Sequence, residues 1–365
     1  MLVVLRVKKI PHVHEGFLLV CSHVMKLIAV IILSLTFGQL AAQTLGGNTV
    51  YNFLTLPGSP QLTALGGINN SAITDDVGLS FSNPALLRSS MHAAINASFS
   101  TLYDGARNYS CWAAMHSARW QTNFATGVNF LDYGDIPQTD VMGNILGNFH
   151  PSDYVVQVAA SRQYEKKWFY GVTLKFIHSS YGYYRSSGAA MDIGINYYDS
   201  AQLFQAGLTL RNMGVQLSPY PGTTRGDLPF DLTLGLTKRL ARAPIQFSFT
   251  AHHLQQFNIR YDDTAFNNYN GFDQNNKNSS FTIDKLFRHF IMAAQVFPED
   301  RVEVTVAYNY LRRKELNIGQ TSNGFTGFSF GLGVLLKKLQ LRYARGFYTN
   351  TTGYNQFGLN LRLND

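Results

Sequence analysis

Residues 154–161 read Tyr154-Val155-Val156-Gln157-Val158-Ala159-Ala160-Ser161. Side chains alternate across an extended chain, so Tyr154, Val156, Val158 and Ala160 share one face, while Val155, Gln157, Ala159 and Ser161 share the other. The first face is suited to hydrocarbon and the second to a mixed, partly polar interior. The same two-residue period returns at 204–211, where Phe204, Ala206, Leu208 and Leu210 oppose Gln205, Gly207, Thr209 and Arg211. It returns again at 302–309, where Val302, Val304, Val306 and Tyr308 oppose Glu303, Thr305, Ala307 and Asn309, and at 230–237, 245–252 and 356–363. A period of two over segments of this length reads as strand.

Working outward from these segments, fourteen strands fit between residues 91 and 364. Their connections sort by length. Those at 102–107, 133–152, 181–188, 214–227, 254–288, 313–325 and 346–353 read as long; those at 118–120, 164–166, 200–201, 241–243, 298–300 and Lys338 read as short. An even strand count with loops sorted by parity predicts an all-β, antiparallel transmembrane barrel of the bacterial outer membrane. Short turns then line the periplasmic rim, long loops face outside, and both chain ends fall on the short-turn side. The sheet must close, because backbone groups facing hydrocarbon bond only to neighbouring strands. In this register an arginine at Val304 meets lipid, whereas one at Thr305 is expected to be hydrated in the lumen.

Composition points the same way. The chain has 365 residues with 14% charged, against about 25% in ordinary soluble proteins, and holds 20 Tyr, 26 Phe and 31 Gly. Its 45% hydrophobic content excludes disorder. At the N-terminus, Lys26, the apolar run Leu27 to Phe37 and the small-residue site Leu40-Ala41-Ala42 form a secretory signal peptide over 1–42. Met25 is the natural start of that signal, with 1–24 upstream of it. Removing 1–42 takes away four basic residues and one acidic one, so the formal net charge falls from +8 to +8 − 4 + 1 = +5. That mild value on an exported chain does not suggest nucleic acid. Only Cys111 survives cleavage, so no internal disulfide is expected. Residues 43–90 do not alternate and contain Gly46-Gly47, Gly66-Gly67, Asp75-Asp76 and Asn83-Pro84. They are expected to form a plug, with the barrel proper at 91–365.

Catalytic signatures are missing: there is no Ser-x-x-Lys, H-E-x-x-H, C-x-x-C or P-loop. His252 and His253, as neighbours on a strand, are expected to face opposite ways and not to share a metal. Ser248 and His252 give only a weak basis for a hydrolase. No catalytic residue, metal or cofactor is therefore expected. Tyr183-Tyr184, Tyr197-Tyr198, Trp168-Phe169 and Phe347-Tyr348 are expected as interface girdles. Lys166-Lys167, Arg239, Arg242 and Lys337-Lys338 are expected as headgroup anchors. The connection 254–288 is the candidate partner-binding loop. Its aromatics Tyr261, Tyr269 and Phe272 suit interface anchoring, and Asp262 and Asp263 suit a basic partner surface.

The most specific stretch opens the mature chain: Tyr51-Asn52-Phe53-Leu54-Thr55-Leu56-Pro57, then Ala64-Leu65-Gly66-Gly67, Asp75-Asp76, and Phe81-Ser82-Asn83-Pro84-Ala85-Leu86-Leu87. Asp132-Tyr133-Gly134, Lys175, Asp192-Ile193-Gly194, Arg211-Asn212-Met213-Gly214, Leu228-Pro229-Phe230 and Ala243-Pro244 follow in order. The chain over 43–365 thereby resembles the long-chain fatty acid transporter (FadL) superfamily, and within it the PorV/PorQ branch. Gly58-Ser59-Pro60 and the Asn-rich 254–288 depart from the pattern. The motif positions carried over are Leu56, Pro57, Gly66, Gly67, Asp76, Asn83, Pro84 and Ala85. The resemblance implies a fourteen-stranded barrel with its N-terminal segment in the lumen and no enzymatic activity. It further implies a place in the type IX secretion attachment complex with PorZ-like, PorU-like and PorV-like partners, where secreted cargo is processed and joined to lipopolysaccharide. The alternative the superfamily offers is a passive channel for hydrophobic small molecules. A greasy conduit needs an apolar inward track and a strand break opening to lipid. Inward Gln157, Gln205, Arg211, Glu303, Asn309, Asn360 and Arg362 do not provide the track.

Overall fold

Alternation along the chain is what closes the sheet. The structure, a computed structural model, describes residues 49–102, 105–257, 259, 283–315, 325–348 and 353–363. Its strands are β1 (Ala94–Thr101), β2 (Arg107–Ser117), β3 (Thr122–Asp132), β4 (Ile136–Thr139), β5 (Ile145–Phe149), β6 (Ser152–Tyr164), β7 (Trp168–Tyr181) and β8 (Tyr184–Asp199). They continue as β9 (Phe204–Ser218), β10 (Asp231–Arg239), β11 (Ile245–Ala251), β12 (Phe290–Val296), β13 (Val302–Asn309), β14 (Phe328–Leu335), β15 (Leu339–Phe347) and β16 (Gly353–Arg362). Short helices are α1 (Pro60–Ala64), α2 (Ile283–Phe287) and α3 (Tyr310–Glu315). All strands but β4 and β5 form one closed antiparallel barrel of fourteen. β16 closes it against β1, with Ala94 opposite Arg362 and Thr101 opposite Asn355. No helix among the described residues is long and apolar enough to cross a membrane.

Five stretches depart from the sequence reading, one of them residues 214–218, which continue β9 instead of opening a loop. The connection 181–188 is not a long loop: β7 and β8 pair up to Tyr181 and Tyr184 and turn through Gly182-Tyr183, with Gly182 at φ 63°. The connection 133–152 contains the β4–β5 hairpin. β10 starts at Asp231 rather than 228, because Pro229 has no N–H to give to a ladder. Residues 310–312 are helical rather than extended, since the Asn309 side chain accepts from the Arg312 backbone N–H at 3.0 Å and starts α3.

Outside, Val128, Val158, Leu174, Leu208, Phe247 and Leu332 stand exposed in mid-strand, Leu174 at 61%. Soluble monomers rarely show so large a continuous apolar surface; a bilayer requires it. Above this band runs an aromatic belt. Tyr343, Phe357, Phe99, Tyr109, Phe130, Tyr154 and His178 sit directly opposite one another on seven successive strands. One rung further toward the long loops the row turns polar: Arg345, Asn355, Thr101, Arg107 and Asp132. Belt, band and closure place the barrel in the bacterial outer membrane. At the short-turn end Trp168 and Tyr197 pack edge to face at 5.0 Å, while Phe169 turns inward beneath Arg88. Two expected headgroup anchors are paired instead: Lys167 with Asp199 at 2.6 Å, and Arg239 with Asp300.

Candidate functional site: the interlocked lumen

Residues 49–93 pass through the lumen from end to end. Val50 donates its backbone N–H to Asp227 at 2.8 Å, in the β9–β10 connection, so the described chain enters at the long-loop end. The first and last barrel strands themselves begin and end at the short-turn side, with Ala94 opposite Arg362. The segment leaves at the short-turn end, where β1 begins.

Local chemistry folds this hatch in short pieces. Ser59 accepts from Leu62 N–H at 3.3 Å and Pro60 takes the first position of α1. Asp76 caps Gly78 N–H and Asn83 caps Ala85 N–H, each at 2.9 Å. Between the caps, Leu62, Leu65, Val77, Leu79, Phe81, Leu86 and Met91 form an apolar core with Trp112 of the wall. Tyr51, Phe53 and Leu54 form a second core with Leu131, Val155 and Ile177.

The motif positions all lie in this hatch, and each does a structural task. Leu56 packs against the second core. The Pro57 carbonyl accepts from Tyr354 and Gln356 of β16. Gly66 and Gly67 turn with φ of 92° and 97°, and the Gly66 carbonyl accepts from Asn309 at 3.2 Å and Arg312 at 3.0 Å. Pro84 and Ala85 press on the wall at Gly171 so closely that a Cβ there would lie 2.7 Å from the Pro84 backbone. A Cβ on Gly194 would lie 2.0 Å from the Asn83 side-chain oxygen.

Two buried charge clusters join hatch to wall or wall to wall. Arg342 reaches Glu303 through Nε at 3.1 Å and Asp76 of the hatch through a terminal nitrogen at 3.4 Å. Gln295 donates to the other Glu303 oxygen at 2.8 Å, and Asn96 donates to Asp76 at 2.8 Å. In the second cluster Lys175 meets Asp192 at 2.6 Å and the Asn212 side-chain oxygen at 2.8 Å. Asn212, at φ 56°, donates its backbone N–H to Asp192 and its amide to the Pro229 carbonyl. It sits where the β8–β9 register shifts, between Met191 and Ile193. Motifs 175, 192, 211–214 and 228–230, far apart in sequence, thus meet at one bulge.

Around Asn70 the fit is tightest. Its amide donates to the Gly207 and Thr233 carbonyls at 3.2 and 3.1 Å, and a Cβ on Gly235 would lie 1.9 Å from its oxygen. Sequence reasoning overlooked Asn70, Ser71, which bonds Thr237 at 2.9 Å, and these wall glycines. Inward-facing glycine on an alternating strand was the available signal. Below the hatch, toward the short turns, a cavity of about 670 Å³ is lined by mixed charges including Asp75, Arg88, Lys166 and Asp300.

Ser248 and His252 do not pair: the Ser248 hydroxyl bonds Thr237 at 2.9 Å. His252 and His253 do not face opposite ways. β11 ends at Ala251, His253 takes φ 54°, and the two rings meet with centroids 4.8 Å apart. Tyr261, Asp262, Asp263, Tyr269 and Phe272 lie outside the described residues.

No family model matches the chain, and no curated protein does either. Among solved structures, a mutant of the monoaromatic hydrocarbon channel TodX is similar at 10% identity and TM-score 0.46, covering 83% of this chain and 96% of that one. The monoaromatic hydrocarbon channel CymD is similar at 12% identity and TM-score 0.44, covering 85% and 99%. The KdgM porin is similar at 6% identity and TM-score 0.32, covering 74% and 99%. By name these are channels and a porin, alike in barrel fold.

Proposed function

We propose that this chain is a closed, non-catalytic outer-membrane anchor of the PorQ type. It holds a PorZ-like partner at the cell surface, beside PorU-like and PorV-like proteins, so that cargo is processed and attached to lipopolysaccharide. The resemblance of the motif stretches supplies the partners. The observation that carries the closed-anchor part is the hatch, wedged by polar contacts to walls on opposite sides of the lumen: Asn70 to β9 and β10, Thr63 to Gln356 of β16 at 2.5 Å, and Tyr51 to Ser186 of β8 at 2.5 Å. Conduction would require breaking them together.

A second reading, a passive channel for hydrophobic small molecules, draws on one feature. The β8–β9 ladder shifts register between Ser187 and Gly188 and between Met191 and Ile193, an interruption of the kind a lateral opening would need. The test replaces residues 262–278 with a short Gly/Ser linker and follows barrel and partner by membrane fractionation. The anchor reading expects an inserted barrel, a released partner and poorly attached cargo. A partner retained at normal level removes this loop as the docking site. Hydrophobic-compound uptake into proteoliposomes at rates above empty vesicles would favour the channel instead.

A further inference from the structure

Asp231, His252 and His253 come together at the long-loop end of β10 and β11. Asp231 opens β10, and its Oδ1 accepts the His253 backbone N–H at 2.7 Å and lies 3.5 Å from His253 Nδ1. The ligand-bearing atoms of the three residues all lie within 4.8 Å of one another. His252 is 1% exposed, and neither of its ring nitrogens has a hydrogen-bond partner. A neutral imidazole carries one N–H and one lone pair, and leaving such groups unmet in a buried site is unfavourable. Asn70 Oδ1 and Asn96 Oδ1 in the hatch contacts also lack partners, but among the described residues this ring alone lies within ligand distance of a second histidine and a carboxylate.

We propose that Asp231, His252 and His253 bind a divalent transition-metal ion, with zinc the best fit. Two imidazoles and one carboxylate form a borderline-soft donor set that suits zinc and leaves a fourth position for water. Zinc–ligand distances of about 2.0–2.2 Å bring ligand atoms closer together than they stand here. His253 already lies beside both other ligands and is partly exposed at the strand end, so a small turn of its ring closes the remaining distance. The backbone at His252 is already held, because its carbonyl is bonded by His289 Nδ1 at 2.8 Å. Arg312 brings positive charge nearby, but it is engaged with the Gly66 carbonyl and Ser329. Bound metal would pin the root of the connection that leaves β11, whatever that connection holds.

The test uses full-length mature protein in detergent, stripped with chelator, dialysed against zinc chloride and assayed for metal by mass spectrometry. One zinc per chain is expected. Cobalt substitution should give the visible absorption of a four-coordinate site. His253→Ala and Asp231→Asn should weaken zinc by more than the roughly 10–100-fold seen for lost second-shell partners. Both positions lie at strand ends, so heat-modifiable gel mobility shows whether each variant is folded. Absence of stoichiometric zinc in the folded wild type, or undiminished binding in folded His253→Ala, overturns the assignment.

Discussion

Asn70 and Gly235 show how a single residue ties hatch to wall. The Asn70 side-chain oxygen occupies the space a Cβ on Gly235 would need, at 1.9 Å, and the partner is a buried amide held by hydrogen bonds to the Gly207 and Thr233 carbonyls. Gly235→Val should therefore expel the hatch locally while leaving the barrel closed. Limited proteolysis of intact cells or liposomes reads this as new cleavage within 49–90; an unchanged pattern would show that the contact is not tight. Arg342→Met makes the complementary test. It leaves Asp76 and Glu303 buried without their cation, a change costing about 3–5 kcal/mol, read as a lower unfolding temperature in detergent. The lipid register holds at Val304, where an arginine should cost about 2–4 kcal/mol. At Thr305 the expectation of hydration fails: the residue is 1% exposed and its hydroxyl is bonded to Glu303 at 3.2 Å. Its inward face was legible from alternation; its dryness was not, because the period of two says nothing about what fills the lumen.

At the scale of elements, the barrel strands were legible wherever one face meets lipid. They became illegible where that contrast ends. Val215 to Ser218 continues β9 past the bulge at Asn212, with Val215 and Leu217 outward and Gln216 buried, while Arg185-Ser186-Ser187-Gly188 continues β8 with no apolar face, so alternation has nothing to report there. The β4–β5 hairpin is illegible for the same reason. His150 next to it joins Asp132 at 2.8 Å and Asp135 at 3.2 Å. The hydrogen bond to Asp135, helped by the Asp132 charge, holds its imidazolium above the usual histidine range. A raised folded value means the tether is complete below the ordinary imidazole pKa and is lost as pH rises through the folded value. Amide exchange in 136–149, corrected for intrinsic rates, should rise between about pH 5.5 and pH 8.5. Asp135→Asn should flatten that rise, and equal protection at both pH values would show that the ion pairs do not order the hairpin. β16 is the closing element, bonded on both sides, and Gln356, Gly358, Leu361 and Leu363 resemble an outer-membrane assembly signal. Deleting 357–365 should leave neither closure nor insertion, with the product lost to proteolysis. Normal outer-membrane levels of the truncated chain would contradict this.

For the whole molecule, the direction of the hatch matters most. Its entry at the long-loop end follows from Val50 pairing with Asp227, a backbone contact that no hydrophobic pattern announces. The segment then crosses to Asp75, which meets Arg362 at 2.6 Å near the short turns, and to Arg88, whose guanidinium reaches Asn196 at 2.8 Å. A strap held at both ends and along its length does not swing aside as a gate hinged at one end does. Its release requires several buried polar groups to lose their partners at once, each at roughly 1–3 kcal/mol. Wild-type barrels in planar bilayers should therefore be electrically silent or show only rare, brief steps. Refolded chains lacking 49–90 should conduct continuously, since the remaining lumen face carries Gln157, Gln205, Glu303 and Asn360 and would fill with water. If that deletion prevents refolding because the hatch supplies the core around Trp112, Arg342→Met and Gly235→Val in the full chain should raise the frequency of openings. Sustained wild-type conductance equal to that of the hatchless barrel would mean the strap does not seal the lumen, and the closed-anchor reading would fall with it.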